Sequence, residues 1–321
     1  MSIKYSIVVP VYNSEKFIRD CINSALKQGV PDFEVIVIDD GSSDSSWEII
    51  TQFRRNYERV VAIRKKNEGV ALARNKALDY VRGEYVLFLD SDDLMADDLL
   101  EVVDKYIRED SIDILEFSYN YIDQNGNIFG GKTLEENYVR SNDHCLTLFL
   151  RGENSKSFCW NKVFRVEVIR ELRFRYFSYS EDYLFNIEAF MKATSVRTIS
   201  NPLYYYRSHP ESAVNIPFNE RKIDIVEAGE FAYNFLHEPK QRLYVSIYIL
   251  DHCISLYYMV KSLGTCERKK YQHYFFHRFL LVYTRMYNDN AYTDLKSFHK
   301  IKYLIFRISP RIYSVLQKGL H

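Results

Sequence analysis

Over the first 110 residues, near-continuous apolar runs alternate with stretches of helical periodicity. YSIVVPVY (5–12), FEVIVID (33–39), VVAIRK (60–65) and YVLFL (85–89) lack a polar face, which predicts strands covered on both sides. After the first, Phe17, Ile18, Cys21, Ile22, Ala25 and Leu26 recur at three- and four-residue steps, predicting a helix with Ser14 as its cap. A second helix is expected up to about Tyr57, with Trp47, Ile50 and Phe53 near one side, and a third from about Gly69 to Val81. Buried strands separated by helices predict a parallel sheet with right-handed crossovers.

The pattern changes after Asp110. IDILEFSYNYI (112–122) reads as a strand, and Asn125-Gly126 as a hairpin turn. Mixed short elements fill 127–178, a helix fits Glu181 to Ala193, and strand-like pieces fit Val196–Ser200 and Leu203–Arg207. From about Asn219 helical patterns rich in Tyr, Phe and Lys run to the end. The expected organisation is an α/β region over 1–215, with halves 1–110 and 111–215, followed by a helical region over 216–321. The most membrane-like stretch, 244–260, carries Asp251 and His252 at its middle. It therefore reads as a buried helix rather than a span.

Composition narrows the function. Lys plus Arg and Asp plus Glu are both 43 among 321 residues, which argues against a nucleic-acid coat. The 5 cysteines are scattered without a C-x-x-C pair or zinc spacing, and no signal peptide precedes the first strand. A reduced, cytoplasmic chain is the expectation.

Three predicted strands end in polar clusters: Tyr12-Asn13, Asp39-Asp40-Gly41 and Asp90-Ser91-Asp92-Asp93. Strand ends are where open α/β sheets bind ligands. The first turn, Pro10-Val11-Tyr12-Asn13, has no glycine, so a G-x-G-x-x-G dinucleotide site is excluded. Two aspartates two apart at the fourth strand end suggest instead a divalent cation, Mn²⁺ or Mg²⁺, holding a diphosphate. The alternative is a solvated polar turn capping the next helix.

SIVVPVYNSEKFIRDCINSALKQ, FEVIVIDDGSSDSS, NEGVALARNKAL and GEYVLFLDSDD together resemble the family 2 glycosyltransferases of the GT-A fold. The resemblance implies a Rossmann-like mixed sheet flanked by helices, with a C-terminal helical region. It implies a nucleotide pocket of Pro10, Tyr12, Asn13, Asp39, Asp40, Lys66 and Asn67, with Arg74 touching base or diphosphate. Asp90 and Ser91 would face the ribose or donor sugar. Asp92, with Asp90 and His209, would hold the metal, and Arg207 would neutralise phosphate.

An inverting transfer needs a base for the acceptor hydroxyl. FSYSEDYLFNIEAF places Ser180 as a cap with Glu181 and Asp182 in the first turn. The resemblance points to Asp182 as base, with Glu181 orienting loop or acceptor. The same carboxylates would also serve as ordinary complements to the helix dipole. FCWNKVFR (158–165) resembles a segment of bacterial surface-polysaccharide transferases. There Trp160 would stack on an acceptor sugar beside Asn161 and Lys162, or else belong to the core.

Two other readings stand beside this one. Gly126 to Thr133 matches G-x-x-x-x-G-K-[ST] literally, which would make the chain a P-loop NTPase or kinase, although Asn125-Gly126 argues for a hairpin there. A nucleotide-sugar binding module without catalysis is the other. At the C-terminus, Lys296, Lys300, Lys302, Arg307, Arg311 and Lys318 face a single acidic residue, Asp294, among many apolar side chains. Such a segment suits peripheral contact at the inner face of the cell membrane, an ordinary packed helix, or a homodimer. The expected activity is transfer from a nucleotide sugar, UDP-linked by resemblance, to a glycan or lipid-linked glycan in bacterial polysaccharide synthesis.

Overall fold

The computed structural model describes residues 3–152, 157–210, 212, 216–288 and 291–318. The chain divides into two compact units, 1–215 and 216–321.

The first unit is built on a sheet of ten strands among the described residues. Strands β1 (Tyr5–Val11), β2 (Phe33–Asp39), β3 (Val60–Arg64) and β4 (Tyr85–Phe88) alternate with helices α1 (Ile18–Leu26), α2 (Ser46–Asn56) and α3 (Val70–Leu78). All four strands are parallel, in the order β3-β2-β1-β4. β5 (Leu94–Met95) and α4 (Leu99–Glu109) follow, then β6 (Ile114–Ile122), β7 (Ile128–Lys132), β8 (Asn137–Val139) and α5 (Asn142–Arg151). The unit ends with β9 (Lys162–Arg165), α6 (Val166–Ile169), α7 (Glu181–Lys192) and β10 (Val196–Arg207). Beyond β4 the order continues β9-β6-β10-β5. β9 runs antiparallel to both neighbours, and β10 is parallel to β6. The sheet is therefore mixed.

The apolar runs form strands because both faces are covered. Ile7, Val9, Val35, Val37 and Leu87 pack with α1, α2 and α4 through Ile18, Ile22, Ile50, Leu100 and Val103. On the opposite face Phe88 meets Phe164, Phe174 and Phe185 edge-on. Ser14 does not cap α1: its carbonyl accepts from Phe17 and Ile18, while its hydroxyl meets Ser91 at 2.7 Å. The two strand-like pieces after 196 are one strand, with register shifts between Ile199 and Tyr204 where Pro202 interrupts the ladder.

The P-loop reading is overturned here. Gly126 sits at φ 87° in the turn between β6 and β7, and Gly130, Gly131 and Lys132 lie in a strand antiparallel to β6. A strand cannot present the phosphate-binding helix N-terminus that the motif requires.

The second unit contains α8 (Asp224–Phe235), α9 (Pro239–Met259), α10 (Thr265–Asn288), α11 (Ser297–Ile308) and α12 (Pro310–Lys318). The α9 segment is long and apolar enough to cross a membrane by length and composition. It packs instead as the unit's core helix, burying Val245, Ile249, Leu250 and Cys253. Its mid-helix Asp251 accepts from Lys302 at 2.8 Å and Tyr303 at 2.7 Å. Gly229 lets α8 approach it, since a Cβ there would fall 2.5 Å from Ile249.

Candidate active site

The three aspartates that end β4 do not share one partner. Each turns a different way, which relieves the repulsion between like charges so close in sequence. Asp90 Oδ1 accepts from Arg74 Nη2 at 2.9 Å. Asp92 Oδ2 meets His209 Nε2 at 2.8 Å. Asp93 is buried, accepting from Tyr204 Oη at 2.7 Å and from the Arg207 amide at 2.6 Å. Burial and the neighbouring Asp92 and Asp90 carboxylates push its carboxyl well above the usual range. Asp93 is thus a structural clamp between β4 and β10.

Arg74 organises a second cluster. Its guanidinium is buried and reaches Asp90, Glu181 at 3.0 Å and Asp182 at 2.5 Å. Expected against a base or diphosphate, it is instead enclosed by three carboxylates, because α3 aims it beneath the strand ends. Ser180, at the N-cap of α7, has a left-handed backbone (φ 68°) and makes no capping bond from its side chain. The helix then starts with both carboxylates at Arg74. Asp182 Oδ2 also accepts from the Cys159 amide at 3.1 Å, so both its oxygens are fixed. Burial, then the Asp182 charge, raise Glu181 to about 7 against the opposing pull of Arg74. Burial likewise raises Asp90 to about 6, with Arg74 opposing and Asp92 reinforcing.

At the end of β2 the two aspartates separate. Asp40 is consumed by structure: it accepts from Lys65 Nζ at 2.6 Å, from the Glu68 amide, and from the Gly69 amide at 2.7 Å, shaping the entry to α3. Its oxygens are therefore engaged within the chain rather than turned to the expected nucleotide. Asp39 is fully buried, and its Oδ1 accepts from the Ser42 amide at 3.3 Å. Its Oδ2 lies 3.0 Å from Arg64 Nε, yet off the line of a hydrogen bond, and has no hydrogen-bond donor among the described residues. Such an oxygen is short of one N–H.

Tyr12 is exposed, while Asn13 (φ 48°) accepts from the Ser43 amide at 2.8 Å and ties the two strand ends together. Pro10, expected to line the nucleotide, is buried inside β1 opposite Ile38. Lys66 and Asn67 are exposed on the neighbouring loop. That loop is held close by Gly41 (φ +75°), where a Cβ would come 2.8 Å from the Asn67 amide.

The expected metal set is only half assembled. Asp92 and His209 offer one carboxylate oxygen and one imidazole nitrogen at a single point, a mixed oxygen–nitrogen pair that fits a transition-metal dication such as Mn²⁺ better than the oxygen-seeking Mg²⁺. Asp90 is turned to Arg74, and among the described residues no three His, Cys, Asp or Glu side chains converge as a cage. Further ligands would come from diphosphate oxygens or water. Arg207 is not directed at phosphate: it is buried and donates to the carbonyls of Asp92 at 2.8 Å and Gln124 at 2.9 Å.

The acceptor residues are corrected as well. Trp160 is only 4% exposed, stacked between Phe158 and Tyr204. Asn161 and Lys162 are fully buried, and Lys162 Nζ lies 3.2 Å from Glu116 and 2.7 Å from the Phe158 carbonyl. This segment builds β9 and the Cys159 amide that holds Asp182. Trp160, Asn161 and Lys162 therefore face the interior rather than a sugar. The roles of Cys159, Tyr204 and Arg64 carry no sequence signal, since each depends on chain brought from another part of the sheet.

The model of Glycosyl transferase family 2 matches residues 6–177. The chain belongs to that family. Among curated members, it is 30% identical over 220 residues to the putative glycosyltransferase EpsH of Bacillus subtilis, covering 65% of this chain and 62% of EpsH. It is 29% identical over 214 residues to the poly(ribitol-phosphate) beta-N-acetylglucosaminyltransferase TarS of Staphylococcus aureus, covering 65% of this chain and 36% of TarS. The match spans less than two thirds of the length of the first curated relatives, at 30%, 63% and 62%. The solved structure of S. aureus TarS 1-349 with UDP-GlcNAc superposes with a TM-score of 0.67 at 23% identity, covering 86% of this chain and 81% of that one. A mannosyltransferase of Pyrobaculum calidifontis in complex with GDP-Man and Mn²⁺ gives 0.52 at 15% identity, covering 98% and 85%. The fold is GT-A.

Proposed function

We propose that the chain transfers a sugar, with inversion, from a nucleoside-diphosphate donor to a hydroxyl of a glycan or lipid-linked glycan in bacterial polysaccharide synthesis. The observation that carries this reading is the Asp92–His209 pair just past β4 and β10, with Arg74 tying the neighbouring Asp90 to the Asp182 carboxylate in the first turn of α7. UDP is the favoured nucleotide. Among the described residues Asp39 Oδ2 has no hydrogen-bond donor, one that the ring N–H of uracil would supply once the half-exposed Arg64 side chain over it moves aside. Tyr12 is exposed for stacking, and a structural neighbour is described in complex with UDP-GlcNAc.

Asp92 and His209 would hold the divalent cation, which when bound neutralises charge on the departing diphosphate. Asp182 accepts the proton of the attacking hydroxyl as the acceptor oxygen bonds to the anomeric carbon and the diphosphate leaves from the opposite face. Two fixed oxygens keep the base from rotating away, an arrangement that favours reaction by orientation. Arg74 positions Asp182 and Asp90 together.

A second assignment, Glu181 as base, is favoured by its rise to about 7, since a base works best when its pKa lies near the working pH. Single-turnover transfer from UDP-sugars with Asp182→Asn and Glu181→Gln separates the two. Asp182 as base predicts a loss of 10²-fold or more for Asp182→Asn, on the order expected for general-base removal, and a smaller loss for Glu181→Gln. The reverse ranking moves the role to Glu181. Sugar transfer that survives both changes would refute the site.

A further inference from the structure

We propose that the outward face of α11 and α12 docks on an anionic lipid surface. A helix of a soluble unit needs one apolar face, and α11 has two. Its inner face carries Tyr303 and Phe306, both fully buried, with Phe306 4.8 Å from Phe279 and Tyr303 hydrogen-bonded to Asp251. The opposite face presents Phe298, Ile301, Leu304 and Ile308, at steps of three and four residues, with Phe298 70% and Ile308 71% exposed. The α12 helix continues the pattern: Tyr313 packs on Tyr258 and Phe306, while Ile312 and Val315 are exposed.

The charges identify the occupant. Lys296, Arg307 and Arg311 are exposed on these helices, with Lys300 and Lys302 partly so. The acidic side chain of the segment, Asp294, precedes both helices. By contrast the chain as a whole is neutral. On α11, Lys300 and Arg307 lie to one side of the apolar stripe, while Lys302 on the other side is paired with Asp251. Arg311 borders Val315 on α12. Aromatic and aliphatic side chains edged by Lys and Arg match the chemistry of a headgroup–acyl boundary. A second copy of this surface would bring arginine rims of like charge together, whereas an anionic bilayer complements them.

The test is co-sedimentation of the full chain with vesicles of phosphatidylcholine alone and of phosphatidylcholine mixed with phosphatidylglycerol. The variants are Ile301→Ser/Ile308→Ser and Arg307→Gln/Arg311→Gln, each checked for folding by its melting curve. The wild type is expected to pellet with the mixed vesicles and much less with phosphatidylcholine. Neutralising two arginines should lower partitioning roughly 25-fold, from about 1 kcal/mol per basic group and tenfold per 1.4 kcal/mol. The serine pair should lower it at least as far. Wild type that stays in solution with both vesicle types overturns the proposal, as do folded variants that pellet like wild type. A concentration-dependent dimer dissolved by the serine pair, without vesicle binding, assigns the face to a second copy.

Discussion

Arg74 Nη1 and Asp182 Oδ1 are hydrogen-bonded across 108 positions, and the same guanidinium holds Asp90 and Glu181. One buried cation thus fixes the proposed base and the first aspartate of the β4 cluster. Arg74→Met should leave three carboxylates without their counter-charge. Breaking a buried pair in this way costs about 3–5 kcal/mol, so urea unfolding should shift accordingly. Arg74→Lys keeps the charge without a guanidinium fork. It should preserve more stability than Arg74→Met and still lose transfer rate. Equal stability of all three proteins would contradict the hub.

Asp39 and Asp40 are neighbours in sequence with different work. Asp39→Asn should weaken UDP binding about tenfold or more, as expected when a buried hydrogen-bond acceptor loses its match to a ligand. Asp40→Ala removes the acceptor of the Glu68 and Gly69 amides and the Lys65 pair, so its principal effect should be a loss of about 1–3 kcal/mol in stability. Calorimetry with UDP and denaturant unfolding of both variants check this. A stability loss confined to Asp39→Asn would reverse the assignment.

Trp160→Ala should behave as a core deletion, costing about 3–5 kcal/mol. A raised acceptor KM at unchanged stability would return Trp160 to the sugar-binding surface. Lys132→Ala, on an antiparallel strand, should leave nucleotide binding unchanged.

Glu181 binds its proton more tightly in the folded chain, near 7, than at its ordinary value of 4.5. Its ionisation therefore costs the fold nothing below pH 4.5 and its full amount above pH 7, so stability falls as pH rises through that window. Glu181→Gln removes this dependence. The variant should gain on wild type between pH 4.5 and 7 by on the order of 3 kcal/mol, measured by unfolding at several pH values. A constant difference would contradict the buried dyad.

The parallel half of the fold was legible because strands buried on both faces leave uninterrupted apolar runs, as in YSIVVPV and FEVIVID. The short β5 and β9 were not, since two and four residues carry no period and owe their pairing to neighbours remote in sequence. The site shows the same division. Asp39 ends β2, and Asp92 and His209 follow β4 and β10, positions that sequence can place. Asp40, Asp93, Lys162 and Arg207 are polar residues of the same types, yet buried partners absorb them. Residue type alone does not separate a ligand-facing carboxylate from one that closes a loop.

The central claim, a nucleoside diphosphate held at Asp39 and, through a cation, at Asp92 and His209, is tested most directly by calorimetry with UDP, GDP, dTDP and ATP. Each is measured with and without Mn²⁺, on wild type and Asp92→Asn. The account predicts binding of UDP that strengthens with Mn²⁺ and loses that strengthening in Asp92→Asn. UDP binding that ignores both Mn²⁺ and Asp92 would contradict it.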